Sequence, residues 1–154
     1  MKIVFDIDGT LSDPGHRLHF IQPREDEKKD WDGFYAACGD DPPIPHTVEL
    51  CRELLSAGHT VEFWTGRNED VRSVTEQWIA DHIRWFTVDA NTFRWGECVI
   101  KMRSKGDRRR DHILKMQFID WDHPPDIIFE DRSTVVQAYR ERGLTVFQVA
   151  EGDF

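Results

Sequence analysis

Lys2-Ile3-Val4-Phe5-Asp6-Ile7-Asp8-Gly9-Thr10, residues 2–10, decides how this chain is read. An apolar run of β-branched and aromatic residues that ends in two acids and a glycine reads as a buried strand delivering carboxylates at its carboxyl end. The period of two keeps Asp6 and Asp8 on one side, and Gly9 lets the backbone turn sharply or approach a ligand closely. Taken alone, D-x-D-G also suits a simple polar turn. A calcium EF-hand loop is excluded, because counting from Asp6 its required glycine and glutamate positions hold Leu11 and Arg17.

Four further runs of this kind follow, at 59–64, 98–102, 126–129 and 144–150. Between them the apolar residues take helical spacing: Val48, Cys51 and Leu55; Val71, Val74 and Trp78; Ile113, Leu114 and Phe118; Val135, Val136 and Tyr139. Thr47, Asn68, Asp111 and Ser133 are the expected N-caps, and Gly58 and Gly143 the expected stops. Strands alternating with helices need crossover connections, which predicts an α/β fold with a mainly parallel five-stranded sheet. Its site should lie outside the carboxyl ends of the strands, where the strand order reverses. At 154 residues the chain reads as one domain, 1–154, with about 70% of its unfolded surface buried. Residues 11–45 form a long insertion after the first strand, with a helix expected over 31–38, and read as a small lid. Residues 83–97 carry Trp85, Phe86, Phe93 and Trp95 without a clear period and yield no assignment.

The formal charge of −9 opposes non-specific adhesion to nucleic acid or anionic lipid, so any basic site must be local. No apolar run approaches a membrane span or a signal-peptide core, which predicts a cytoplasmic protein without membrane partners. Cys38, Cys51 and Cys98 are odd in number and form no C-x-x-C, so reduced thiols are expected.

Two more strand ends carry chemistry. Trp64-Thr65-Gly66-Arg67 offers a hydroxyl, a glycine amide and a guanidinium, groups that bind phosphate. Phe129-Glu130-Asp131-Arg132 closes the fourth run with a second acidic pair. Each is locally explained by a turn or a helix start, but three such ends share the face where this architecture places its site. Two unit charges ~4 Å apart repel by about 4 kcal/mol at an effective dielectric near 20, and up to four acids would converge here. They call for a cation, and the all-oxygen donor set favours Mg2+ over zinc. His16, His19, His46, His112 and His123 lack H-x-x-x-H spacing and read as ordinary histidines.

The order D-x-D-G-T, then T-G-R, then a helix lysine, then an acidic pair closing a strand, resembles the haloacid dehalogenase-like (HAD) phosphohydrolases across nearly the whole chain. FDIDGTLSD, WTGR, MRSKGDRRRDHILK, EDRSTVVQAYRERG and FQVAEGDF narrow the resemblance to the 3′-phosphatase domain of phage polynucleotide kinase-phosphatases. The resemblance implies a three-layer Rossmann-like fold with helices on both faces. It also implies Mg2+-dependent removal of 3′-phosphates from polynucleotide ends; a 5′-nucleotidase or other small-nucleotide phosphatase is the alternative. By motif, Asp6 is the nucleophile, and Asp8, kept protonated by like charge, is the acid and then the base. Thr65 binds a phosphoryl oxygen, and Lys115 bridges nucleophile and phosphate. Asp6, Asp131 and the Asp8 carbonyl ligate Mg2+, while Glu130 acts through water or by holding Lys115. Gly66, Arg67 and Arg103 contact substrate.

No G-x-x-x-x-G-K-[ST] is present, so a kinase or ligase partner would be a separate chain, and the compartment the host cytoplasm if the protein is phage-encoded. Lys101, Arg103, Lys105, Arg108, Arg109 and Arg110 form a basic cluster around Asp107 that reads either as a solvated loop or as an anion site. Trp31, Phe34 and Tyr35 read either as core or as a surface that stacks on a base. A receiver-like phospho-acceptor domain is disfavoured, since its acceptor aspartate would follow the third strand, where Met102-Arg103-Ser104 stands. A non-catalytic nucleic-acid-binding module would leave the acids without purpose.

Overall fold

Strand β1 (Lys2–Phe5) alternates its side chains between two apolar layers, and this organises the computed structural model, which describes residues 1–22, 28–83, 99–152 and the backbone of 87–89 and 92–94. Ile3 and Phe5 pack in one cluster with Val48 and Cys51 of α2 (Pro45–Ser56) and Trp78, Ile79 and Ile83 of α3 (Arg72–Ile83). Val4 packs on the opposite face with Met116 of α4 (Asp111–Met116) and Val135, Val136 and Tyr139 of α5 (Ser133–Arg140). A fully buried side chain of this size contributes about 1.5–3 kcal/mol, so neither face of β1 tolerates a register slip.

β1 is flanked by β2 (Thr60–Asn68) and β6 (Ile127–Glu130). β5 (Val99–Arg103) and β7 (Val146–Gln148) complete a parallel sheet in the order β5-β2-β1-β6-β7. From β1 the chain moves outward to β2, and from β6 it moves the other way to β7. The reversal therefore falls between β1 and β6, whose carboxyl ends carry Asp6 and Glu130. This is the α/β sandwich expected, with helices on both faces. No described helix is long and apolar enough to cross a membrane.

The differences are local. β2 continues to Asn68 through a break in register between Trp64 and Asn68, so Thr65-Gly66-Arg67 occupies an irregular stretch of the strand, a device that re-aims side chains. Asn68 caps as expected, accepting the Asp70 N–H before the 3-10 turn Glu69–Val71. Thr47, Asp111 and Ser133 do not, and the cap positions are Ile44, Arg110 and Arg132. Pro45 starts α2 two residues before Thr47, whose hydroxyl instead donates to the Thr10 carbonyl. The Asp111 carboxylate is engaged by two arginines, and the Ser133 hydroxyl accepts from Gln148. Val74 and Ile113 face solvent, because the buried stripe of α3 runs through Thr75, Trp78, Ile79 and Ile83, and α4 ends before Phe118.

Within 83–97 the structure has an antiparallel hairpin, β3 (Thr87–Asp89) and β4 (Thr92–Arg94). Trp85, Phe86, Trp95, the Phe93 side chain and Cys98 lie outside the described residues. Cys38 is a buried free thiol, and Cys51 is buried in the core. Residues 11–45 hold the 3-10 turns Gly15–Phe20 and Ala37–Asp40 and helix α1 (Trp31–Ala36), whose Gly33 N–H donates to Asp30 at 2.8 Å.

Candidate functional site

Asp6 continues the β1 ladder by donating its N–H to the Phe129 carbonyl, which sets its side chain beside the end of β6. There Lys115 Nζ lies 2.7 Å from Asp6 Oδ1 and 2.7 Å from Glu130 Oε2, all three side chains being buried. The other Glu130 oxygen accepts the Arg132 N–H at 3.2 Å, so Glu130 is committed to holding Lys115 and the turn. Asp6, Glu130 and Asp131 present carboxylate oxygens within 4.8 Å of one another. Burial and the Glu130 carboxylate push Asp6 well above its ordinary pKa despite Lys115, and burial with the same neighbour pushes Asp131 up to about 7. Burial alone would lower the Lys115 pKa, but the charges of Asp6 and Glu130 outweigh it and raise it well above the ordinary lysine value.

Asp131 Oδ2 is buried and has no hydrogen-bond partner among the described residues. A Cβ at Gly9, whose φ is +83°, would stand 2.3 Å from that oxygen, and one at Gly152 would stand 1.8 Å from it. The chain thus requires glycine on both sides of an unpartnered carboxylate oxygen. An orphaned buried oxygen amid carboxylates that resist ionisation suits a hard divalent cation such as Mg2+.

Asp8 sits in a different field. Its Oδ1 lies 2.6 Å from Arg17 Nη2 and 2.6 Å from Arg67 Nη2, and both guanidiniums also bind Asp41, at 2.6 Å and 2.9 Å. Arg17, Arg67 and Asp41 have no exposed side-chain surface. Burial would raise the Asp8 pKa, but Arg67 and Arg17 overcome it and hold the carboxyl well below the ordinary carboxylate range. The expectation that like charge keeps Asp8 protonated is therefore corrected: its nearest charges are cations, and the resting residue is ionised.

Thr65 is wholly buried, and its hydroxyl accepts the Arg67 N–H at 3.2 Å. The Gly66 carbonyl accepts from Arg103 Nε at 3.0 Å and from the Tyr35 hydroxyl at 3.2 Å, tying three segments together. Arg103 and Arg132 both pair with Asp111, one helical turn before Lys115. Of the basic cluster, Lys101 turns away to the Phe118 carbonyl and Glu62, Lys105 pairs with Asp70, and Arg109 pairs with Asp107. Arg108 and Arg110 line a cleft of about 1150 Å3 whose lining also includes Asp6, Asp8, Lys115, Trp31 and Tyr35.

The structure thus gathers Asp6, Lys115, Glu130 and Asp131 at one point, with Asp8 and Gly66 beside them on the cleft, while Arg67 and Thr65 stay inside the protein. Sequence reading missed Arg17, Asp41, Asp111 and Arg132. Asp111 had a signal, lying four residues before Lys115 and so on the same helix face. Arg17 and Asp41 had none, being loop residues of an ordinary polar type.

Comparison with known proteins agrees with this fold. The structure of a Pnkp1/Rnl/Hen1 complex matches with a TM-score of 0.71 at 26% identity, covering 99% of this chain and 47% of the matched chain. This chain therefore spans about half the length of that relative. A class C acid phosphatase from Bacillus anthracis matches with a TM-score of 0.65 at 14% identity over 99% of this chain and 67% of its own. A haloacid dehalogenase-like hydrolase from Streptococcus pneumoniae matches with a TM-score of 0.55 at 16% identity over 96% of this chain and 83% of its own, and at such identities these two speak for the fold alone. The family model described as the polynucleotide kinase PNKP phosphatase domain matches residues 1–154. Every strand end singled out above falls within that match, and the chain accordingly belongs to the HAD-type phosphatase domains of the PNKP family.

Proposed function

We propose that this chain removes the 3′-phosphate from polynucleotide ends as a Mg2+-dependent phosphomonoesterase, by way of an aspartyl-phosphate on Asp6. The observation that supports it most is the convergence of Asp6, Lys115, Glu130 and Asp131 on an open cleft at the reversal of strand order. Asp6, Asp131 and the main-chain carbonyl of Asp8 would hold Mg2+, which when bound supplies positive charge to the phosphoryl oxygens and relieves repulsion among the acids.

In the first half-reaction Asp8, ionised at rest, first takes a proton from solvent; Asp6 then attacks phosphorus, an Asp6 O–P bond forms, the ester P–O bond breaks, and the leaving alkoxide takes that proton from Asp8. In the second, Asp8 takes a proton from water, the water oxygen bonds to phosphorus, the Asp6 O–P bond breaks, and inorganic phosphate departs with Asp6 restored. Lys115, fixed by Glu130, keeps its charge beside the nucleophile while charge is redistributed in the transition state. The Gly66 amide binds a phosphoryl oxygen, while Thr65, buried beneath it, accepts the Arg67 N–H and so fixes this stretch of β2. Arg67 serves by holding Asp8, and Arg103, locked on Asp111, forms the wall toward the substrate chain. The insertion after β1 is read as a lid, its described part contributing Trp31, Phe34 and Tyr35 of α1 to the cleft lining.

A second Pnkp1/Rnl/Hen1 structure, described as an RNA repair complex, matches this chain at 24% identity. In keeping with it, the substrate is read as a nucleic-acid end, the partner as a kinase or ligase on a separate chain, and the compartment as the cytoplasm, the host's if the protein is phage-encoded. Hydrolysis of a 3′-phosphorylated oligonucleotide is to be compared with that of nucleoside 5′-monophosphates at equal Mg2+. The oligonucleotide should have the higher kcat/KM; preference for the monophosphates would reassign the protein as a nucleotidase.

A further inference from the structure

The three aromatics of α1 divide between two roles. Phe34 is core: it is buried, and the Arg17 guanidinium lies 4.0 Å over its ring. Trp31 is 43% exposed and lines the cleft beside Tyr35, its ring 6.0 Å from that of Tyr35 at an interplanar angle of 29°. Trp31 also meets Phe34 edge-on at 5.9 Å. This surface is fixed to the reacting groups at two points. The Tyr35 hydroxyl donates to the Gly66 carbonyl, and Arg17, under Phe34, reaches Asp8. The same cleft has Arg108 and Arg110 on its lining, without an ion pair among the described residues, and the Lys29 ammonium 5.5 Å from the Trp31 ring centroid. A flat, pre-oriented aromatic face with cations beside it, opening onto a phosphate-transfer centre, matches a base and the phosphodiester next to it.

We propose that Trp31, backed by Tyr35, is the stacking platform for the base of the nucleotide that carries the phosphate. The proposal rests on the phosphatase reading above and deepens it: a base stacked on Trp31 has left its own stack, so the substrate end is single-stranded or frayed.

Four substrates test it: a 3′-phosphorylated oligonucleotide, the same oligonucleotide with an abasic last sugar, a nucleoside 5′-monophosphate, and ribose 5-phosphate. Within whichever pair wild-type protein hydrolyses faster, Trp31→Ala should lower the ratio of kcat/KM for the base-bearing over the baseless member about tenfold, through KM, as loss of one base–aromatic stack implies. Trp31→Phe, which keeps an aromatic face, should restore most of the ratio. A ratio unmoved by Trp31→Ala, or a loss as large in Trp31→Phe as in Trp31→Ala, overturns the platform. Wild-type preference for the mononucleotide pair overturns the polynucleotide assignment instead, while the variant ratios still decide whether Trp31 carries the base.

Discussion

Asp6 and Asp8 stand two residues apart and meet opposite fields, since Asp6 shares its volume with two other carboxylates and Asp8 is clasped by two guanidiniums. Such separation divides the roles of nucleophile and proton carrier between like side chains. Asp6→Asn should lower turnover of an aryl phosphate by about three orders of magnitude or more while the circular dichroism spectrum stays that of the parent, because the amide keeps the shape and loses the nucleophile. The low pKa of Asp8 sets the sign of a second test. An acid must be protonated to serve an alkoxide, and above a depressed pKa that fraction falls with each step up in pH. At saturating Mg2+ the ratio of kcat/KM for an alkyl phosphate over an aryl phosphate, whose leaving group needs no proton, should therefore decline from pH 5 to pH 8. A flat ratio removes Asp8 from the acid step.

At the scale of elements, the insertion is tied to the sheet by charge as well as by apolar contact. Arg17 follows β1, Asp41 precedes α2 and Arg67 lies in β2, and their side chains close a buried network with Asp8. Breaking one member of a buried ion network strands its partners in a low dielectric. Asp41→Asn should lower the urea-unfolding free energy by about 3 kcal/mol, although Asp41 is buried away from the cleft; a loss below about 1 kcal/mol would mean that Arg17 and Arg67 are satisfied by Asp8 alone. The local pattern located α5 closely because one buried face dominates it, and β1 because its unbroken apolar run is buried on both faces. It mislocated the stripe of α3, where Thr75 is buried and Val74 exposed, because which face turns inward depends on what packs there. Cap positions slipped at α4 and α5 for a related reason: Asp111 and Ser133 have the capping chemistry, but tertiary partners claim their oxygens.

For the whole molecule, the acid cluster links folding, pH and metal. In the absence of a cation, Asp131 titrates near 7 when folded and near 3.9 when unfolded, so over that window the folded chain holds the extra proton and its stability falls as pH rises. Asp8 works in the opposite sense, since its contribution is present above the ordinary carboxylate pKa and is lost as pH falls toward its depressed value. Chelated protein should therefore show a melting temperature that drops between pH 5 and pH 8. Mg2+ at about 100 times its Kd should add roughly 2.7 kcal/mol, or about 5–10 °C for a chain of this size, and Asp131→Asn should abolish most of that gain. A melting temperature indifferent to Mg2+ would separate the acid cluster from metal binding.

The amino-acid order by itself determined the alternation of strands and helices, the parallel sheet, and the delivery of Asp6, Asp8, Glu130 and Asp131 to strand ends, because these follow from side-chain period and from the handed, short connections that period allows. Only the tertiary structure decided that Lys115 lies between Asp6 and Glu130, that Arg17 and Asp41 complete the surroundings of Asp8, and that Trp31 stands exposed on the cleft while Phe34 beside it is buried. Electrostatic partnership depends on distance and burial, and neither is a property of neighbouring letters in the chain.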